Sequence, residues 1–482
     1  MDAGFSEVAL PATNLHGRAT GCPEAPEAGE ERTALTRDLV PADVSAPAPP
    51  RSVVFRGGLL VTQDPGRRVF RGDLRVEGGR ITGVGDVGKA PADAEVDASG
   101  FAIVPGFVNA HTHVAMNLLR GIADDRELAG FLETLFAVDA RRTEADVEAG
   151  ARAGIAEMLL SGTTSFLDLY YFEDAVARAV ESLGIRGFLG WAVLDPELTT
   201  QKGVPVDNAR AFIGRWKDHP RVSPLVAPQG VYVCGRETWL RAREVADAAG
   251  TLVHYHLSET RKEVNEHQTK TGRRPVLWLE EIGFLGPRSV AAHAVWLTGE
   301  EIELLAGRGV GIAHCPSSNL KLASGGVAPV VELRAAGATI GLGTDSVASN
   351  NSLSMLREMH IAGLVQKNQR WDATALSAQE LLDFATVDGA RILGRANDLG
   401  SLETGKQADF SLFRLDHPSL FPARPEAIVS HLAYSASEEA VDSVYVAGVA
   451  VVRDRRLTRG DWWKIRTEGE AAAETLWSAR PK

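Results

Sequence analysis

The sequence predicts an α/β fold: a (β/α)8 barrel with a small β-sandwich domain built from both chain ends. Two patterns lead to this prediction. Between residues 104 and 397, short apolar segments alternate with helical stretches, as in parallel α/β proteins. Short β-type segments separated by glycine turns flank that region on both sides. A chain of 482 residues is long enough for a barrel of about 250 residues and a second unit.

The chain ends are assigned from composition and from β-type patterns. Residues 1–50 are rich in Ala, Pro, Glu and Gly without a sustained hydrophobic period, which predicts a flexible extension. Glycine turns such as Gly57–Gly58 separate the first β-type segments, and similar segments return near the far end. Residues 51–103 and 398–460 are therefore assigned to the β-sandwich domain, and residues 461–482 to a C-terminal helical tail.

Residues 104–397 are assigned to the catalytic barrel because eight strand candidates with intervening helical segments can be counted there. Eight such units make a closed barrel the simplest arrangement, and catalytic residues of such barrels lie at the C-terminal ends of the strands. The strand candidates are residues 104–111, 164–169, 187–194, 222–227, 252–257, 289–293, 310–313 and 339–342.

The first strand candidate ends in two histidines, His111 and His113. On a β-strand, residues spaced i, i+2 lie on the same face. Two neutral imidazoles side by side make half of a site for a divalent transition metal. The alternative is an ordinary polar strand face, and the pair alone does not decide between the two interpretations.

Other strand ends carry residues that would complete such a site. Of the 12 histidines in the chain, six lie at these strand ends: His111, His113, His254, His256, His293 and His314. Asp345 follows the last strand, and imidazoles with a carboxylate are the ligand set of Zn²⁺ or Fe²⁺ at a site that keeps a water. Spacing does not rank His254 against His256, His314 could satisfy buried backbone, and Asp345 could be a turn residue. Without a metal site, each of these residues would need its own separate explanation, although all of them lie at the same end of five strands. The metal site is therefore favoured.

These stretches resemble the amidohydrolase superfamily, and within it the branch of methylthioadenosine/adenosylhomocysteine deaminases, guanine deaminases and triazine hydrolases. The resemblance covers about residues 52–458 and implies a barrel with a flanking β-sandwich. The matching motifs are PGFVNAHTH (105–113), LLRG (118–121), HLSE (256–259), AH (292–293), PSSNLKL (316–322), GTD (343–345) and ASNNS (348–352).

The resemblance also implies a role for each residue of the site. His293 would contact the attacking water or the substrate, or add a further metal ligand. Glu259 would be the proton shuttle, and His254 and His314 receive no role. The implied metal ligands are His111, His113, His256 and Asp345.

The resemblance further implies the number of metal ions. Two-metal members of the superfamily bridge their ions with a modified lysine on strand four, and residues 222–227 contain no lysine. We therefore predict one divalent metal ion, with zinc as the expected metal and iron as the alternative.

The predicted reaction is hydrolytic deamination of an aminated N-heterocycle such as an adenine-type nucleoside, a purine or a pterin. A divalent metal lowers the pKa of water from about 15.7 toward about 7 and so supplies a nucleophile at neutral pH. Asp345 would take the proton of that water, and His293 would stabilise the developing oxyanion. Glu259 would protonate the ring nitrogen and the leaving amine. Because ammonia needs a proton to leave and chloride does not, Glu259 favours deamination over dechlorination.

Four substrate contacts besides His293 are predicted. Asp139 aligns with a glutamate that holds the ribose hydroxyls in adenosine-type deaminases, although it could simply sit on a helix. Trp191 replaces an arginine that grips the homocysteine carboxylate, and it is either an aromatic wall for a flat ring or a core residue. Gln229 replaces a family histidine, and Ser349 belongs to the ASNNS motif. The departures at Trp191 and Gln229 argue against adenosylhomocysteine as the substrate.

Composition limits the possible partners. The formal charge of −12 argues against a nucleic-acid partner. Three widely separated cysteines indicate a reducing compartment, so a cytoplasmic location is expected. The sequence shows neither a signal peptide nor an apolar run that could span a membrane. The expected partners are a small heterocyclic substrate and further copies of the chain in a dimer or tetramer.

Two other functions remain open at this point. A triazine-type chlorohydrolase or a cyclic-amide hydrolase would use the same fold and metal but another leaving group. A non-catalytic scaffold of this fold is the third hypothesis, and it is disfavoured because such a protein should have lost ligands or the acid–base residue, whereas none is lost here.

Overall fold

The structure is a computed structural model that describes residues 51–126 and 128–480. The extension predicted for residues 1–50 lies outside the described residues. The described strands form two sheets. They are β1 (Ser52–Val61), β2 (Val69–Glu77), β3 (Arg80–Gly85), β4 (Ala94–Asp97), β5 (Phe101–Pro105), β6 (Phe107–Thr112), β7 (Thr163–Tyr170), β8 (Arg186–Val193), β9 (Val222–Pro228), β10 (Val253–Leu257), β11 (Ser289–His293), β12 (Gly311–His314), β13 (Ile340–Leu342), β14 (Phe410–Arg414), β15 (Val441–Val446), β16 (Val449–Arg453) and β17 (Arg456–Leu457).

Helices connect the barrel strands and complete the chain. None of the described helices combines the length and the apolar character that a membrane crossing requires. The helix α16 occupies most of the segment predicted as a helical tail. The α-helices are α1 (Leu128–Asp139), α2 (Glu144–Leu160), α3 (Glu173–Leu183), α4 (Pro205–Trp216), α5 (Arg236–Ala249), α6 (Arg261–Thr271), α7 (Pro275–Glu281), α8 (Gly299–Gly307), α9 (Pro316–Lys321), α10 (Val330–Ala335), α11 (Val347–Asn350), α12 (Met355–Arg370), α13 (Ala378–Ala385), α14 (Val387–Ile392), α15 (Ile428–Tyr434) and α16 (Trp462–Trp477), with short 3-10 helices at Val114–Leu119, Pro196–Leu198, Pro418–Leu420 and Glu438–Ala440.

Strands β6 to β13 form the predicted barrel. Each strand pairs in parallel with the next one in the chain, so the sheet order follows the sequence. A parallel bridge between Thr112 and Asp345 joins the first strand to the segment after the last and nearly closes the ring. The barrel prediction is confirmed, and seven of the eight predicted strands agree with the structure to within one residue at each end.

The first barrel strand begins later than predicted. The segment 104–111 was expected to be one strand, but the structure divides it at Gly106, with β5 on one side and β6 on the other. Gly106 donates its N–H to the carbonyl of Asp409, at 3.0 Å, and a side chain there would lie 2.1 Å from Oγ1 of Thr164. Only glycine permits this close approach, so the chain can pass from one sheet into the other at this point.

The flanking β-domain is assembled from both chain ends, as predicted. Its strands form one hydrogen-bonded mixed sheet in the order β17-β16-β15-β14-β5-β1-β2-β3, with β4 paired to β1. The two ends of the chain meet where β5 pairs antiparallel with β14. Rings from both ends form its core, since Phe55 contacts Phe410 and Tyr445 edge to face with ring centroids 5.0 Å apart in each pair.

A buried ion pair attaches this mixed sheet to the base of the barrel. Arg186, at the start of β8, donates to Asp409 through Nε at 2.6 Å and through Nη2 at 3.1 Å. The two side chains are only 5% and 4% exposed. Removing one member of such a pair leaves an uncompensated buried charge, which typically costs about 3–5 kcal/mol. The mixed sheet therefore covers the N-terminal edge of β8 and leaves the C-terminal edge of the strands to the active site.

Candidate active site

Strand β10 illustrates how the barrel directs its histidines inward. Tyr255 faces outward, where its ring meets that of Trp239 on α5 edge to face at 5.4 Å. Because side chains alternate along a strand, the neighbouring His254 and His256 face the barrel interior. Both histidines are buried.

Five side chains from the strand ends meet at the C-terminal edge of the barrel. Nε2 of His113 lies 3.2 Å from Nε2 of His256 and 3.3 Å from Oδ1 of Asp345. Nε2 of His111 lies 3.6 Å from the same oxygen. The ligand atoms of His111, His113 and His256 lie within 4.8 Å of one another, and so do those of His111, His293 and Asp345. The residues predicted to form the site are therefore close together in space.

Two of these histidines are held by backbone carbonyls. Nδ1 of His113 donates to the carbonyl of Leu169 at 2.6 Å, and Nδ1 of His256 donates to the carbonyl of Gln229 at 2.7 Å. A carbonyl only accepts hydrogen bonds, so the proton of each neutral ring sits on Nδ1. The lone pair of each Nε2 therefore faces the cluster, as metal coordination requires.

His111 offers a test of whether these residues suit a metal ion. Its Nε2 is buried and has no hydrogen-bond partner among the described residues. Leaving such an atom unpaired costs about 1–3 kcal/mol, and coordination to a cation would offset that cost. Burial lowers the pKa of His111 to about 4, so the ring is neutral at physiological pH. A side chain at Gly343 would lie 2.7 Å from Cβ of His111, which explains the glycine beside it. The donor set fits a divalent metal ion.

The carboxylate of Asp345 is oriented by three neighbours. Its Oδ2 accepts from the hydroxyls of Ser318 at 2.5 Å and Ser349 at 3.1 Å, while Oδ1 accepts from the N–H of Ser346 at 2.7 Å. Burial alone would raise the pKa of Asp345, but the neighbouring imidazoles of His111 and His113 outweigh burial and hold the pKa well below its usual range. Asp345 is therefore a carboxylate that directs Oδ1 toward the imidazoles.

His293 and Glu259 face each other beside this cluster. Nε2 of His293 lies 3.8 Å from Oε2 of Glu259. The side-chain amide of Asn319 donates to Nδ1 of His293 at 3.1 Å, so the ring proton sits on Nε2. His293 thus presents an N–H to the site, whereas His113 and His256 present lone pairs. Burial raises the pKa of Glu259, and the negative charge of Asp345 adds to the shift.

The loop that carries Glu259 is held by a second glutamate, Glu263. The carboxylate of Glu263 accepts from the backbone N–H of Ser258 at 3.0 Å and of Glu259 at 2.8 Å. Burial raises the pKa of Glu263 to about 7. Ser258 has a positive φ of 48°, a strained conformation for a serine, which these contacts help to maintain.

A cavity of about 610 Å³ opens onto the cluster. Its volume lies within the range typical of small-molecule sites. Part of its lining comes from the cluster and the neighbouring pair of side chains, namely His113, His256, Glu259, His293 and Asp345. Met116, Phe131, Leu135 and Leu322 provide apolar walls, and the predicted contact residues Asp139, Gln229 and Ser349 also line it.

Trp191 was predicted to be either an aromatic wall of the substrate site or a core residue. It is not among the described residues that line the cavity. Its indole N–H donates to Gln201 at 2.7 Å, and its ring packs against Phe212 with centroids 5.7 Å apart. These contacts favour the core residue over the aromatic wall, because the large ring is already enclosed by its neighbours.

Asp139 lies at the end of α1 and borders the cavity. It accepts a hydrogen bond from the hydroxyl of Tyr170 at 3.2 Å and forms an ion pair with Arg142. Burial raises the pKa of Asp139, and the positive charge of Arg142 opposes that shift. The position at the cavity wall is compatible with the predicted substrate contact.

Several residues with clear contacts to the site were not singled out individually from the sequence. Asn319 and Ser318 were quoted only as part of the PSSNLKL motif, and His254 and Glu263 had no role. The spacing offered one usable signal, because His254 shares a strand face with His256. Nothing local identifies Glu263, whose contacts depend on how the chain turns after β10.

Fold and site together define a barrel enzyme with a histidine and carboxylate set suited to one divalent metal ion. The sequence profile of the amidohydrolase family matches residues 102–451. The chain belongs to the amidohydrolase family.

Three similar proteins illustrate the relationship. A 5-methylthioadenosine/S-adenosylhomocysteine deaminase of Thermodesulfovibrio yellowstonii is 39% identical over 436 residues, covering 86% of this chain and 99% of that protein. A 5'-deoxyadenosine deaminase of Methanothermobacter thermautotrophicus is 41% identical over 414 residues, with 85% and 95% covered. The crystal structure of an adenosine deaminase from Xanthomonas campestris with bound zinc has a TM-score of 0.85 and 34% identity, and the match covers 90% of this chain and 100% of that one.

Proposed function

We propose that this protein is a metal-dependent aminohydrolase that releases ammonia from an adenine-type nucleoside. The observation that carries the proposal is the placement of Glu259 and His293 beside the imidazole and carboxylate cluster, in the lining of the same cavity. The similarity to proteins named for deamination of adenosine derivatives supports this reaction for the chain.

We propose that one zinc ion is held at this site, with iron as the alternative. The ligands would be His111, His113, His256 and Asp345, whose facing atoms lie close together. When bound, such an ion lowers the pKa of water and acts as a Lewis acid on the reacting centre.

The residues around the proposed metal site would carry out the proton transfers of the reaction. Asp345 is ionised and takes a proton from the attacking water. Glu259, whose pKa is raised by burial, delivers its proton to the ring nitrogen next to the reacting carbon, then takes up the second proton of the added water and passes it to the amine. The proton held by Asp345 returns to Glu259 at the end of the cycle. Nε2–H of His293 donates to the added oxygen, which becomes negatively charged when it gives up its last proton. The C–N bond then breaks, ammonia leaves, and the ring carbon becomes a carbonyl.

The cavity suggests how a nucleoside would be bound. Asp139, as a carboxylate at the wall, would accept hydrogen bonds from the ribose hydroxyls. Gln229 and Ser349 would contact the base near the metal, and the apolar walls would take an uncharged 5' substituent. Because Trp191 is enclosed in the core, it provides no grip for the charged tail of adenosylhomocysteine.

Ammonia release from the zinc-loaded protein tests this function. We expect turnover of adenosine, 5'-deoxyadenosine and 5'-methylthioadenosine, and at least about tenfold lower kcat/KM for S-adenosylhomocysteine, since one lost charged contact typically costs about 1.5–3 kcal/mol. Pterins, guanine, a chlorotriazine and a cyclic amide complete the panel. Chloride release from the triazine or ring opening of the amide, without ammonia from any nucleoside, would support the alternative hydrolase instead. Protein treated with a chelator is the control.

We also propose that the protein is cytoplasmic and forms a homo-oligomer. The cysteines Cys234 and Cys315 are free and buried, as expected in a reducing compartment. Trp371 and Phe421 are 97% and 81% exposed, and large apolar side chains at a surface are typical of contacts between subunits. Light scattering at micromolar concentration should give a mass of two or four chains, and a mass of 51.5 kDa would contradict the oligomer.

A further inference from the structure

We propose that His254 is a positioning residue for the metal centre, where it determines which nitrogen of His111 carries the proton. The inference depends on the proposed function, because it presupposes that the cluster binds a metal ion. His254 lies on β10, and His111 lies on β6, across the barrel interior. Their ring centroids are 4.9 Å apart at an angle of 67°.

The proton position on His254 follows from its backbone contact. Nδ1 of His254 lies 2.8 Å from the carbonyl oxygen of Val290 on β11. A carbonyl oxygen cannot donate, so this contact is a hydrogen bond only if Nδ1 carries the proton. In a neutral ring, Nε2 of His254 then has a lone pair and must accept.

That lone pair decides the protonation of His111. Nε2 of His254 lies 2.7 Å from Nδ1 of His111, so Nδ1 of His111 carries the proton and donates. The lone pair of His111 is therefore on Nε2, which is buried, has no partner among the described residues, and lies 3.6 Å from Oδ1 of Asp345. The opposite tautomer of His254 would place two lone pairs against each other at Val290. It would also require His111 to carry its proton where the metal must bind.

The tautomers of the other two proposed histidine ligands, His113 and His256, do not depend on a side chain. Backbone carbonyls of Leu169 and Gln229 accept directly from His113 and His256, and no side-chain substitution removes a carbonyl. His111 is the proposed histidine ligand whose tautomer depends on a side chain. A relay of two hydrogen bonds thus connects β11, β10 and β6 beneath the site.

His254 is not placed to be a further ligand. Both of its nitrogens are engaged, Nδ1 by Val290 and Nε2 by His111. Its ring is fully buried on the far side of His111 from the carboxylate of Asp345, since opposite nitrogens of His111 face the two groups. It therefore acts through His111.

The test compares variants of His254 that do and do not offer a hydrogen-bond acceptor at the position of Nε2. In His254→Gln, the amide oxygen can take the proton of His111, whereas His254→Leu and His254→Phe offer no acceptor. We expect zinc affinity, measured by competition with a chelator, to fall about 10–100-fold in the Leu and Phe variants, as for other residues that orient a metal ligand. In the Gln variant it should stay within about threefold of the unaltered protein.

The matched control is His314→Leu. His314 is also a buried histidine of a barrel strand, but neither of its nitrogens has a hydrogen-bond partner among the described residues. This variant should keep the zinc affinity of the unaltered protein. The absorption spectrum of the cobalt-loaded protein is the second readout, because it reports the ligand arrangement. It should change in the Leu and Phe variants of His254 and stay unchanged in the Gln variant and in the control.

The outcomes separate this inference from the proposed function. Thermal unfolding of the metal-free variants checks that each one folds. Because both His254→Leu and His254→Phe lack an acceptor, the test still works if one of them fails to fold. Equal zinc affinity in the Leu, Gln and unaltered forms would overturn the role of His254. Equal losses in the Gln and Leu variants would overturn it too, since packing alone would then explain the effect. Failure of the unaltered protein to bind zinc would instead contradict the proposed function.

Discussion

Replacing Glu259 with glutamine is expected to lower kcat by about 10²–10⁴-fold, the usual contribution of general acid–base catalysis, while zinc stays bound. The amide keeps the shape of the carboxyl group but cannot carry a proton from the water to the ring nitrogen and the amine. Glu259 is not among the residues whose ligand atoms cluster, so the metal site should be unaffected. The measurements are steady-state ammonia release and zinc content.

Glu281→Gln provides the matched control for this substitution. It is the same chemical change on α7, where the side chain is 60% exposed, pairs with Arg273 and is not among the described residues that line the cavity. Its kcat should stay close to that of the unaltered protein. Full activity of Glu259→Gln would remove Glu259 from the mechanism, and loss of zinc from that variant would show that its effect is indirect.

The second large effect is expected at Asp345. The substitution Asp345→Asn should abolish turnover and weaken zinc binding. Removing a residue that only supports a metal ligand typically lowers metal affinity about 10–100-fold, and the loss of Asp345 should cost at least as much. The amide has no negative charge to balance the cation, and one of its two terminal atoms is a donor. The hydroxyls of Ser318 and Ser349 would also lose a charged acceptor. Zinc content by elemental analysis and affinity by chelator competition measure the effect.

Asp139→Asn is the control for Asp345→Asn, because it makes the same change in the same cavity. It should leave zinc content unchanged and act on the nucleoside instead, raising KM more than it lowers kcat. The unaltered protein should contain about one zinc per chain. A content near two would contradict the argument from the missing lysine on β9, and full zinc content in Asp345→Asn would exclude Asp345 as a ligand.

The barrel was predictable because its signal is local and repeated. A parallel strand buried on both faces is a short apolar run between helical stretches, whatever lies across the barrel from it. The same pattern failed where two segments of one apolar run enter different sheets. Pro105–Gly106 is a dipeptide typical of turns, but apolar residues continue on both sides of it and hide the break. The close contact of Gly106 with Thr164, a residue of another strand, is visible only in the fold.

The site was predictable to the extent that residue type limits chemistry. Few side chains can bind a divalent ion, so histidines at strand ends and the family motifs were sufficient to select His111, His113, His256 and Asp345 as candidates. The substrate contacts were less accessible. Trp191 could be a wall or a core residue, and only its contacts with Gln201 and Phe212 in the fold favour the core residue.

The sequence by itself determined the barrel, the two-ended β-domain and the side chains available for the chemistry, because periodicity and residue type are properties of the chain alone. The tertiary structure decided which atom of each side chain faces which neighbour. Proton positions on the imidazoles follow from hydrogen bonds 2.6–2.8 Å long between atoms far apart in the chain, such as those of His111 and His254. Such distances exist only after the strands have closed into a ring, and for that reason the role proposed for His254 could be inferred only from the folded molecule.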